Sequence, residues 1–336
     1  MANLPVVVLV DQLSPEFERH WREDLGELPV ELRLVGSQER ETLLGAVDGA
    51  QVLITRERPV DADVLKAAGD GLRVIIKLSH WPVDIDIPQC EARGVRVRPV
   101  PQRGRISVAE HSMALILACG RQLLAGHRGV ESGAYREFGL VPAATEERKI
   151  AARWLPVQPT GLYEKVLGII GFGEIGKEVA VRARAFGMRL LVFDARPVSN
   201  ETAELLGVES CSLHELLKEA DFVTIHVPHT PDTEKLLGRQ QFEIMKSSAY
   251  LINCARGGVV DEEALAWALR TERIAGAGLD VFAAEPLPWD SPLLRFKNVV
   301  FTPHIGGAST RGREVLAAEV RSIIRSSLGL SEATPR

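Results

Sequence analysis

The stretch V-L-G-I-I-G-F-G-E-I-G-K-E-V-A spans residues 166–180, and R-L-L-V-F-D follows at residues 189–194. The apolar run at its start predicts a fully buried strand. Three glycines come directly after that run: Gly171, Gly173 and Gly176. The apolar residues then take the spacing of a helix, and a second apolar run ends in Asp194. The order of strand, glycine turn, helix, strand and acid predicts a βαβ unit with parallel strands.

The glycine turn and the acid have the features of a dinucleotide site. The first glycine permits a tight turn, the second lets the backbone approach a pyrophosphate, and the third lets helix and strand pack closely. The following helix presents free N–H groups and a partial positive charge to phosphates. Asp194 lies 23 residues after Gly171, where a carboxylate accepts ribose hydroxyls. We predict NAD rather than NADP because the carboxylate repels a 2′-phosphate, a preference that the nearby Arg196 could moderate.

The composition excludes several classes of protein. A chain of 336 residues predicts two domains. The net charge of -5 and the pI of about 6.0 give no basis for binding nucleic acid or an anionic membrane. The apolar runs are shorter than the ~20 residues that span a bilayer, and the N-terminal run is typical of a first strand rather than a signal peptide. The four widely spaced cysteines indicate a reduced, cytoplasmic protein without a metal site.

Short apolar runs alternate with helical patterns in the first hundred residues, which predicts a parallel sheet covered on both faces. The expected strands lie at residues 6–10, 30–35, 52–54, 74–76 and 95–97, with helices at 15–25 and 62–68. The Pro/Gly-rich residues 99–104 predict an interdomain hinge. A long helix is predicted at residues 107–128, and the pattern of the arm at 133–159 indicates no particular role.

The second half of the chain shows a six-strand dinucleotide-binding pattern. Its expected strands lie at residues 166–170, 190–193, 222–227, 250–254, 277–281 and 299–301. A last amphipathic helix at residues 310–328 is expected to pack back on the first domain. We therefore predict an α/β fold of two doubly wound parallel-sheet domains, the first flavodoxin-like and the second an inserted Rossmann domain.

Three ionisable residues come just after strands of the second domain, where ligands of open α/β sheets bind. They are Arg256 in N-C-A-R-G-G, Glu285 in L-D-V-F-A-A-E-P and His304 in T-P-H-I-G-G. Arg256 can grip a carboxylate bidentately, and His304 can exchange an alcohol proton because the ordinary pKa of histidine is ~6.5. Glu285 can accept the other imidazole N–H, so the set favours oxidation of an alcohol beside a carboxylate. The simpler alternatives are a structural histidine, a glutamate in a surface turn, and an arginine paired with Asp261 or Glu262.

The sequence resembles the D-isomer-specific 2-hydroxyacid dehydrogenases over nearly its whole length. The motifs that carry the resemblance are L-G-I-I-G-F-G-E-I-G (167–176), H-V-P-H-T-P-D-T (226–233), N-C-A-R-G-G-V-V-D (253–261), G-L-D-V-F-A-A-E-P (278–286) and T-P-H-I-G-G (302–307). By matching positions, the resemblance implies a substrate-binding Arg256, an acid/base His304 and a Glu285 that assists it. Together with the glycine motif, it implies cofactor contacts at Gly171, Phe172, Gly173, Glu174, Ile175, Gly176, Asp194, Val227, Pro228, Thr233, Cys254, Ala255, Asp280 and Gly306.

The resemblance also implies the roles of the domains and their assembly. Residues 1–104 with 306–336 are expected to form the substrate domain. Residues 105–305 are expected to form the NAD-binding domain, with a dimerisation helix and arm at 107–160. The family pairs two such domains into a homodimer through the helix near Val108. The expected partners are therefore a small anionic substrate and a second copy of the chain, with no nucleic acid and no membrane.

The substrate loop departs from the glycine-rich G-x-G-x-D pattern of the family. Its residues are Lys77, Leu78, Ser79, His80, Trp81, Pro82, Val83 and Asp84, so a tryptophan replaces a glycine. We expect this loop to form a bulkier wall of the substrate site than the glycine-rich loop of the family. The expected substrate contacts are Ser79, His80 and Trp81 in the loop and Arg103 in the neighbouring hinge. The hypothesis is that Lys77, His80 and either Arg103 or Arg105 bind a second anionic group, such as a phosphonate or distal carboxylate. The alternative is ordinary solvated surface charge.

The leading interpretation is an NAD-dependent oxidoreductase that moves hydride between nicotinamide and C2 of a small 2-hydroxy or 2-keto acid. A second interpretation keeps the fold and changes the donor, as in phosphite- or phosphonate-type dehydrogenases. The formate-oxidising relatives are disfavoured because they carry Gln where Glu285 stands. A third interpretation is an NAD-sensing binding protein, which the complete Arg–Glu–His set disfavours.

Overall fold

The computed structural model describes residues 4–80, 82, 84–142, 157–308 and 312–330. The chain divides into two compact units, Met1–Gly104 with Ser309–Arg336 and Arg105–Ala308, here called the first and the second unit. Within the described ranges, the helices are all too short or too polar to cross a membrane.

A five-stranded parallel sheet forms the centre of the first unit. Its strands are β1 (Val6–Leu9), β2 (Glu31–Leu34), β3 (Val52–Thr55), β4 (Val74–Lys77) and β5 (Arg96–Pro99). Four helices alternate with them, namely α1 (Pro15–Leu25), α2 (Arg40–Val47), α3 (Ala62–Ala68) and α4 (Ile87–Ala92). The order β2-β1-β3-β4-β5 is that of flavodoxin-like sheets. The three central strands are buried along their whole length because each is apolar on both faces.

The second unit begins with helices and continues as a seven-stranded parallel sheet. The leading helices are α5 (Arg103–Gly120) and α6 (Leu123–Glu131). The strands are β6 (Val166–Ile170), β7 (Arg189–Phe193), β8 (Glu209–Ser210), β9 (Phe222–Ile225), β10 (Tyr250–Asn253), β11 (Gly276–Leu279) and β12 (Val299–Phe301). The helices between them are α7 (Glu174–Ala185), α8 (Asn200–Leu206), α9 (Leu213–Glu219), α10 (Arg239–Ile244) and α11 (Glu262–Arg270). The strand order is β12-β11-β10-β9-β6-β7-β8, a Rossmann arrangement extended by one strand.

The chain returns to the first unit in α12 (Gly312–Leu328). Buried residues of α12, such as Val320 and Ile324, join Trp21 and Leu25 of α1 in one hydrophobic core of that unit. The Arg313 guanidinium adds ion pairs of 3.1 Å to two carboxylates at the end of α1. The predicted fold class, two doubly wound parallel-sheet domains, is confirmed.

Two predictions about elements are wrong. The helix predicted at 107–128 is two helices, because Gln122 takes a left-handed conformation with φ of 50° and its side chain accepts a hydrogen bond from the Gln158 N–H. The second sheet has seven strands rather than six, because the short, exposed β8 carries no apolar signal. The arm forms a short 3₁₀ helix at Ala134–Phe138, and its residues 143–156 lie outside the described part of the chain.

Candidate active site

The glycine turn leaves open space at the start of α7. Gly171 has a φ of 92°, and a Cβ there would lie 2.7 Å from the His226 backbone. A Cβ at Gly176 would lie 2.3 Å from the Gly171 oxygen. Gly173 precedes the helix as its N-cap, and no atom lies within 4 Å of the place where its Cβ would be. The backbone packs tightly at Gly171 and Gly176, where a side chain would not fit, whereas Gly173 leaves space beside the backbone. A pyrophosphate that approaches the backbone requires such space.

Asp194 lies at the end of β7 and is hydrogen-bonded to the glycine turn. Its Oδ2 accepts from the Phe172 N–H at 2.7 Å, and its Oδ1 accepts from the Arg196 N–H at 2.8 Å. Each carboxylate oxygen has a second lone pair, so Asp194 can still accept from ribose hydroxyls. These residues therefore fit a dinucleotide, and the preference for NAD over NADP stays a prediction.

The other predicted cofactor contacts lie in the first turn of α7 or just beyond strand ends. Glu174 and Ile175 begin α7, whereas Val227 and Pro228 follow β9, where the Thr233 hydroxyl donates to the Pro228 carbonyl at 2.6 Å. Cys254 and Ala255 follow β10, and burial raises the pKa of the Cys254 thiol to about 12. Their contacts with the cofactor stay predictions.

The three predicted catalytic residues follow neighbouring strands of the second sheet. Strands β10, β11 and β12 pair in parallel, so their carboxyl ends lie at the same edge. Arg256 follows β10, Glu285 follows β11 and His304 follows β12. The sequence prediction that one edge carries all three side chains is consistent with this order.

Three close contacts fix the loop that carries Glu285. A Cβ at Gly257, the residue after Arg256, would lie 1.8 Å from the Phe282 carbonyl carbon, so the two loops pack backbone against backbone. The Ala283 N–H donates to Oε1 of Glu262 at 2.7 Å, and the Phe282 N–H donates to Oε1 of Glu285 at 3.0 Å. The Glu285 carboxylate is therefore oriented by the backbone of its own loop.

The imidazole of His304 is hydrogen-bonded to Glu285. The Nδ1 atom lies 2.6 Å from Oε2 of the carboxylate. The His304 side chain is 47% exposed and the Glu285 side chain 34% exposed, so the pair remains accessible. The hydrogen bond from His304 is the main cause that lowers the pKa of Glu285, with smaller help from the Phe282 N–H. The arrangement keeps Glu285 ionised and leaves Nε2 of His304 for another partner.

The backbone of His304 is held in an unusual conformation. Its φ is 54°, a left-handed value that side-chain-bearing residues adopt only where neighbours enforce it. The His304 N–H donates to the Asp280 carbonyl at 2.8 Å. The Asp280 carboxylate is buried and accepts from the Ile305 N–H at 3.0 Å and the Gly306 N–H at 2.8 Å. Asp280, predicted as a cofactor contact, therefore also holds the loop that carries His304.

Arg256 presents an exposed guanidinium at the end of β10. Asn253 shapes its loop, since the Asn253 side chain donates to the Arg256 carbonyl at 3.0 Å and accepts from the Ala255 N–H at 3.0 Å. The guanidinium donates to the Ala255 carbonyl at 2.6 Å. The two carboxylates considered as partners are engaged elsewhere: Asp261 caps α11 and Glu262 accepts from Ala283. The simpler interpretation, an Arg256 ion pair with either one, is not seen among the described residues.

The predicted substrate contacts belong to the first unit. Ser79 follows β4 and is buried, with its N–H donating to the Lys77 carbonyl at 2.8 Å. His80 is exposed, and Arg103 is exposed at the start of α5. Trp81 lies outside the described residues. Substrate binding by these residues stays a prediction.

Lys77 does not fit the hypothesis of a second anion site. Its side chain is buried, and the ammonium donates to Oδ2 of Asp84 at 2.6 Å and to the Arg56 carbonyl at 2.7 Å. The part of the hypothesis that concerns Lys77 is therefore wrong, because its charge is already neutralised inside the unit.

Two histidines near the strand ends were not singled out from the sequence. Burial lowers the pKa of His226 to about 3, so this ring stays neutral. His111 on α5 lies with Nε2 2.8 Å from the Thr302 hydroxyl. The sequence spacing of His111 indicates a residue on a buried helix face, because Leu115 and Cys119 follow it at intervals of four residues and are buried on the same face of α5.

Comparison with known proteins identifies the family of the chain and several of its relatives. The model of the D-isomer specific 2-hydroxyacid dehydrogenase, NAD binding domain, matches residues 113–306. A D-3-phosphoglycerate dehydrogenase of Methanocaldococcus jannaschii is 37% identical over 312 residues, which are 91% of this chain and 55% of that protein. A glyoxylate reductase of Pyrococcus furiosus is 36% identical over 311 residues, 92% of this chain and 85% of that protein. The chain spans about half the length of the phosphoglycerate dehydrogenases it matches.

A solved structure has the same architecture. The TT0316 protein from Thermus thermophilus is 36% identical, with a TM-score of 0.54 over 97% of this chain and 98% of that one. The matched domain is an NAD binding domain and the glycine turn fits a dinucleotide, so the cofactor is NAD. The chain belongs to the D-isomer specific 2-hydroxyacid dehydrogenase family.

Proposed function

We propose that the protein transfers hydride between nicotinamide and C2 of a small D-2-hydroxy or 2-keto acid. The observation that carries the proposal is the 2.6 Å hydrogen bond between His304 and Glu285 at the ends of neighbouring strands. A histidine and a carboxylate in this relation form a general acid/base whose ring orientation is fixed. An exposed arginine follows the adjacent strand, which supplies a partner for a carboxylate substrate.

Each of the three side chains has a distinct task in this proposal. Bound NAD would accept or supply the hydride. Nδ1 of His304 donates its proton to Glu285, so Nε2 is the atom that exchanges a proton with the substrate oxygen. In the direction of reduction, protonated His304 gives the Nε2 proton to the carbonyl oxygen while Glu285 stabilises the cationic ring. Arg256 binds the substrate carboxylate through two parallel N–H groups and so orients C2.

The proposed substrate class is a small acid that carries its hydroxyl or keto group at C2. Support comes from relatives named as D-3-phosphoglycerate dehydrogenase and glyoxylate reductase. We propose the first unit as the substrate domain and the second as the NAD-binding domain. His80 and Arg103, both exposed in the first unit, remain candidates for a second anionic group of the substrate.

We also propose a homodimer that forms through the helix and arm at 107–160. The observation that supports it is a set of exposed apolar side chains along α6 and the segment after it: Leu123, Val130, Phe138 and Val141. Leu123 and Val130 lie seven positions apart on α6 and therefore share one face of the helix, and exposed apolar patches commonly mark protein interfaces. Light scattering of the purified protein tests this part, and a double change of Val130→Glu with Phe138→Glu should yield a monomer if the arm forms the interface.

The experiment that tests the proposed reaction follows NADH oxidation by its absorbance. The panel comprises glyoxylate, hydroxypyruvate, phenylpyruvate, 2-ketoglutarate and phosphonopyruvate, with phosphite plus NAD measured in the opposite direction. We expect one or more keto acids to be reduced, and Arg256→Ala to raise the KM for that acid far more than the Kd for NADH. Turnover of phosphite alone would replace the proposed substrate class, and NADH binding without any turnover would indicate a sensor.

A further inference from the structure

A histidine outside the predicted catalytic set contacts the loop that carries His304. The Nε2 atom of His111, on helix α5, lies 2.8 Å from the Thr302 hydroxyl and 3.3 Å from Oδ1 of Asp280. The Thr302 hydroxyl donates to the same Oδ1 atom at 2.6 Å. The three side chains therefore form a triangle in which two sides are hydrogen bonds and the third is the 3.3 Å contact between His111 and Asp280. Thr302 lies two residues before His304 in sequence.

The direction of these hydrogen bonds follows from the number of protons available. Thr302 has a single hydroxyl proton, and the short contact to Asp280 uses it. The hydroxyl oxygen can therefore only accept from His111, which must carry a proton on Nε2. Nε2 also lies 3.3 Å from Oδ1 of Asp280, so the protonated nitrogen is close to the carboxylate. His111 thus acts as a donor at the centre of the triangle.

The Thr302 hydroxyl of the triangle completes the set of hydrogen-bond donors around the Asp280 carboxylate. The carboxylate is 1% exposed and also accepts from the Ile305 and Gly306 N–H groups. Buried polar groups that are fully satisfied hold one geometry, whereas partly satisfied ones rearrange. Loss of the His111 donor would let the carboxylate turn. The loop that keeps His304 at a left-handed φ of 54° would lose its anchor.

The surroundings leave the triangle little room to adjust. A Cβ on Gly306 would lie 2.8 Å from Oδ2 of Asp280 and 3.4 Å from Cδ2 of His111, so the loop approaches both side chains closely. Helix α5 is itself packed against the sheet, because a Cβ on Gly278 of β11 would lie 3.0 Å from Cβ of Leu115. His111 is therefore presented from a fixed helix to a fixed carboxylate.

We infer that His111 is a positioning residue for the general acid/base, acting through Thr302 and Asp280 on the backbone of His304. The inference rests on the proposed function, in which His304 exchanges the substrate proton. His111 does not touch the reacting atoms in this scheme. Its effect is to keep the imidazole of His304 aligned, and small misalignments of a catalytic group lower the rate strongly.

The test compares His111→Leu, His111→Gln and the control His214→Gln, an exposed histidine on α9. With the best keto acid of the panel, we expect His111→Leu to lower kcat about 10-fold, while the KM and the Kd for NADH change less than about threefold. Glutamine keeps an N–H donor, so His111→Gln should recover most of kcat. Hydrogen exchange should quicken at the amides of residues 304–306 in His111→Leu and stay slow in the other two variants.

The outcomes separate this inference from the proposed function. Wild-type kcat and exchange in His111→Leu, together with loss of activity in His304→Ala, would overturn the role of His111 alone. Retained activity in His304→Ala would overturn the proposed function itself. Weaker NADH binding in His111→Leu with unchanged kcat at saturating NADH would also contradict the inference, because it would place His111 in cofactor binding instead. Thermal unfolding of each variant, compared with His214→Gln, shows whether the fold is intact.

Discussion

The Nδ1 atom of His304 lies 2.6 Å from Oε2 of Glu285, and this contact joins the ends of strands β12 and β11. The other carboxylate oxygen accepts from the Phe282 N–H at 3.0 Å, so the carboxylate cannot turn away without losing that hydrogen bond. The imidazole is therefore oriented from the side opposite to its exposed Nε2. An imidazole held in this way has one nitrogen in a structural hydrogen bond and one nitrogen that can exchange a proton with a substrate.

The first prediction concerns pH. His304 lowers the pKa of Glu285, so the carboxylate stays ionised at pH values below the ordinary glutamate range of about 4.3. The hydrogen-bonded pair of His304 and Glu285 stabilises the folded protein at pH values above the ordinary glutamate pKa. This stabilisation is lost as the pH falls through the lowered pKa of Glu285. The acid limb that titration of Glu285 imposes on keto acid reduction should therefore begin below the ordinary glutamate pKa of about 4.3. Rates measured from about pH 3.5 to about pH 9, with circular dichroism to verify folding, check this.

Glu285→Gln is the variant to compare with the wild type in this measurement of rate against pH. The amide cannot stabilise a protonated imidazole by charge, so kcat/KM should fall by roughly 10- to 100-fold. The acid limb assigned to Glu285 should disappear because the titrating group is gone. An unchanged acid limb in the variant would assign it to another residue.

The second prediction concerns the glycine turn. Gly176→Ala places a methyl group 2.3 Å from the Gly171 oxygen, so the helix must move away from the turn. We expect a loss of about 1–3 kcal/mol in the free energy of unfolding and weaker NADH binding. Gly126→Ala on α6 is the control, since no atom lies within 4 Å of its Cβ position. Urea denaturation and NADH fluorescence titration measure both effects, and equal behaviour of the two variants would disprove the packing argument.

The third prediction concerns cofactor choice. NADH should be preferred to NADPH in kcat/KM because Asp194 repels a 2′-phosphate. Asp194→Ser removes that charge, so the ratio of kcat/KM for NADH to kcat/KM for NADPH should fall by about 10-fold or more. The variant should also lose some stability, since Asp194 holds the Phe172 and Arg196 N–H groups. Comparable kcat/KM values for NADPH and NADH in the wild type would contradict this role of Asp194.

The fourth prediction concerns the buried ion pair of the first unit. Lys77→Met leaves the Asp84 carboxylate without its ammonium partner, which lies 2.6 Å away in the folded protein. We expect a loss of about 3 kcal/mol in the free energy of unfolding. Lys66→Met, an exposed change on α3, should alter it by less than about 0.5 kcal/mol. A melting temperature equal to that of the Lys66 variant would show that Lys77 contributes little to stability.

Much of the fold was predictable because buried strands and glycine turns leave strong local patterns. The strand Val166–Ile170 and the helix Pro15–Leu25 have the bounds that the sequence predicts. Gly120, which ends α5, marked a place where the helix could stop. The left-handed conformation of Gln122 was not predictable, since it accompanies a hydrogen bond from the distant Gln158. Strand β8 has two exposed polar residues, so its pairing with β7 depends on the sheet already present.

The sequence predicted the positions of the candidate site and one of its contacts, the hydrogen bond between Glu285 and His304, but not the contacts that hold its loops. Strand-end placement indicated Arg256, Glu285 and His304, because parallel strands bring their carboxyl ends to one edge. The burial of Lys77 could not be read from its sequence context, since its partner Asp84 lies in the loop that departs from the glycine-rich pattern of the family. The triangle around Asp280 joins residues 191 positions apart and requires the folded sheet.

The central claim, that His304 exchanges the substrate proton, is tested most directly by comparing wild type and His304→Ala at saturating NADH. The measurement is kcat for the best keto acid of the panel, together with the Kd for NADH from fluorescence. The account predicts a loss of about 10²- to 10⁴-fold in kcat, with the Kd unchanged within about threefold. A kcat within tenfold of wild type would contradict it and show that another group donates the proton.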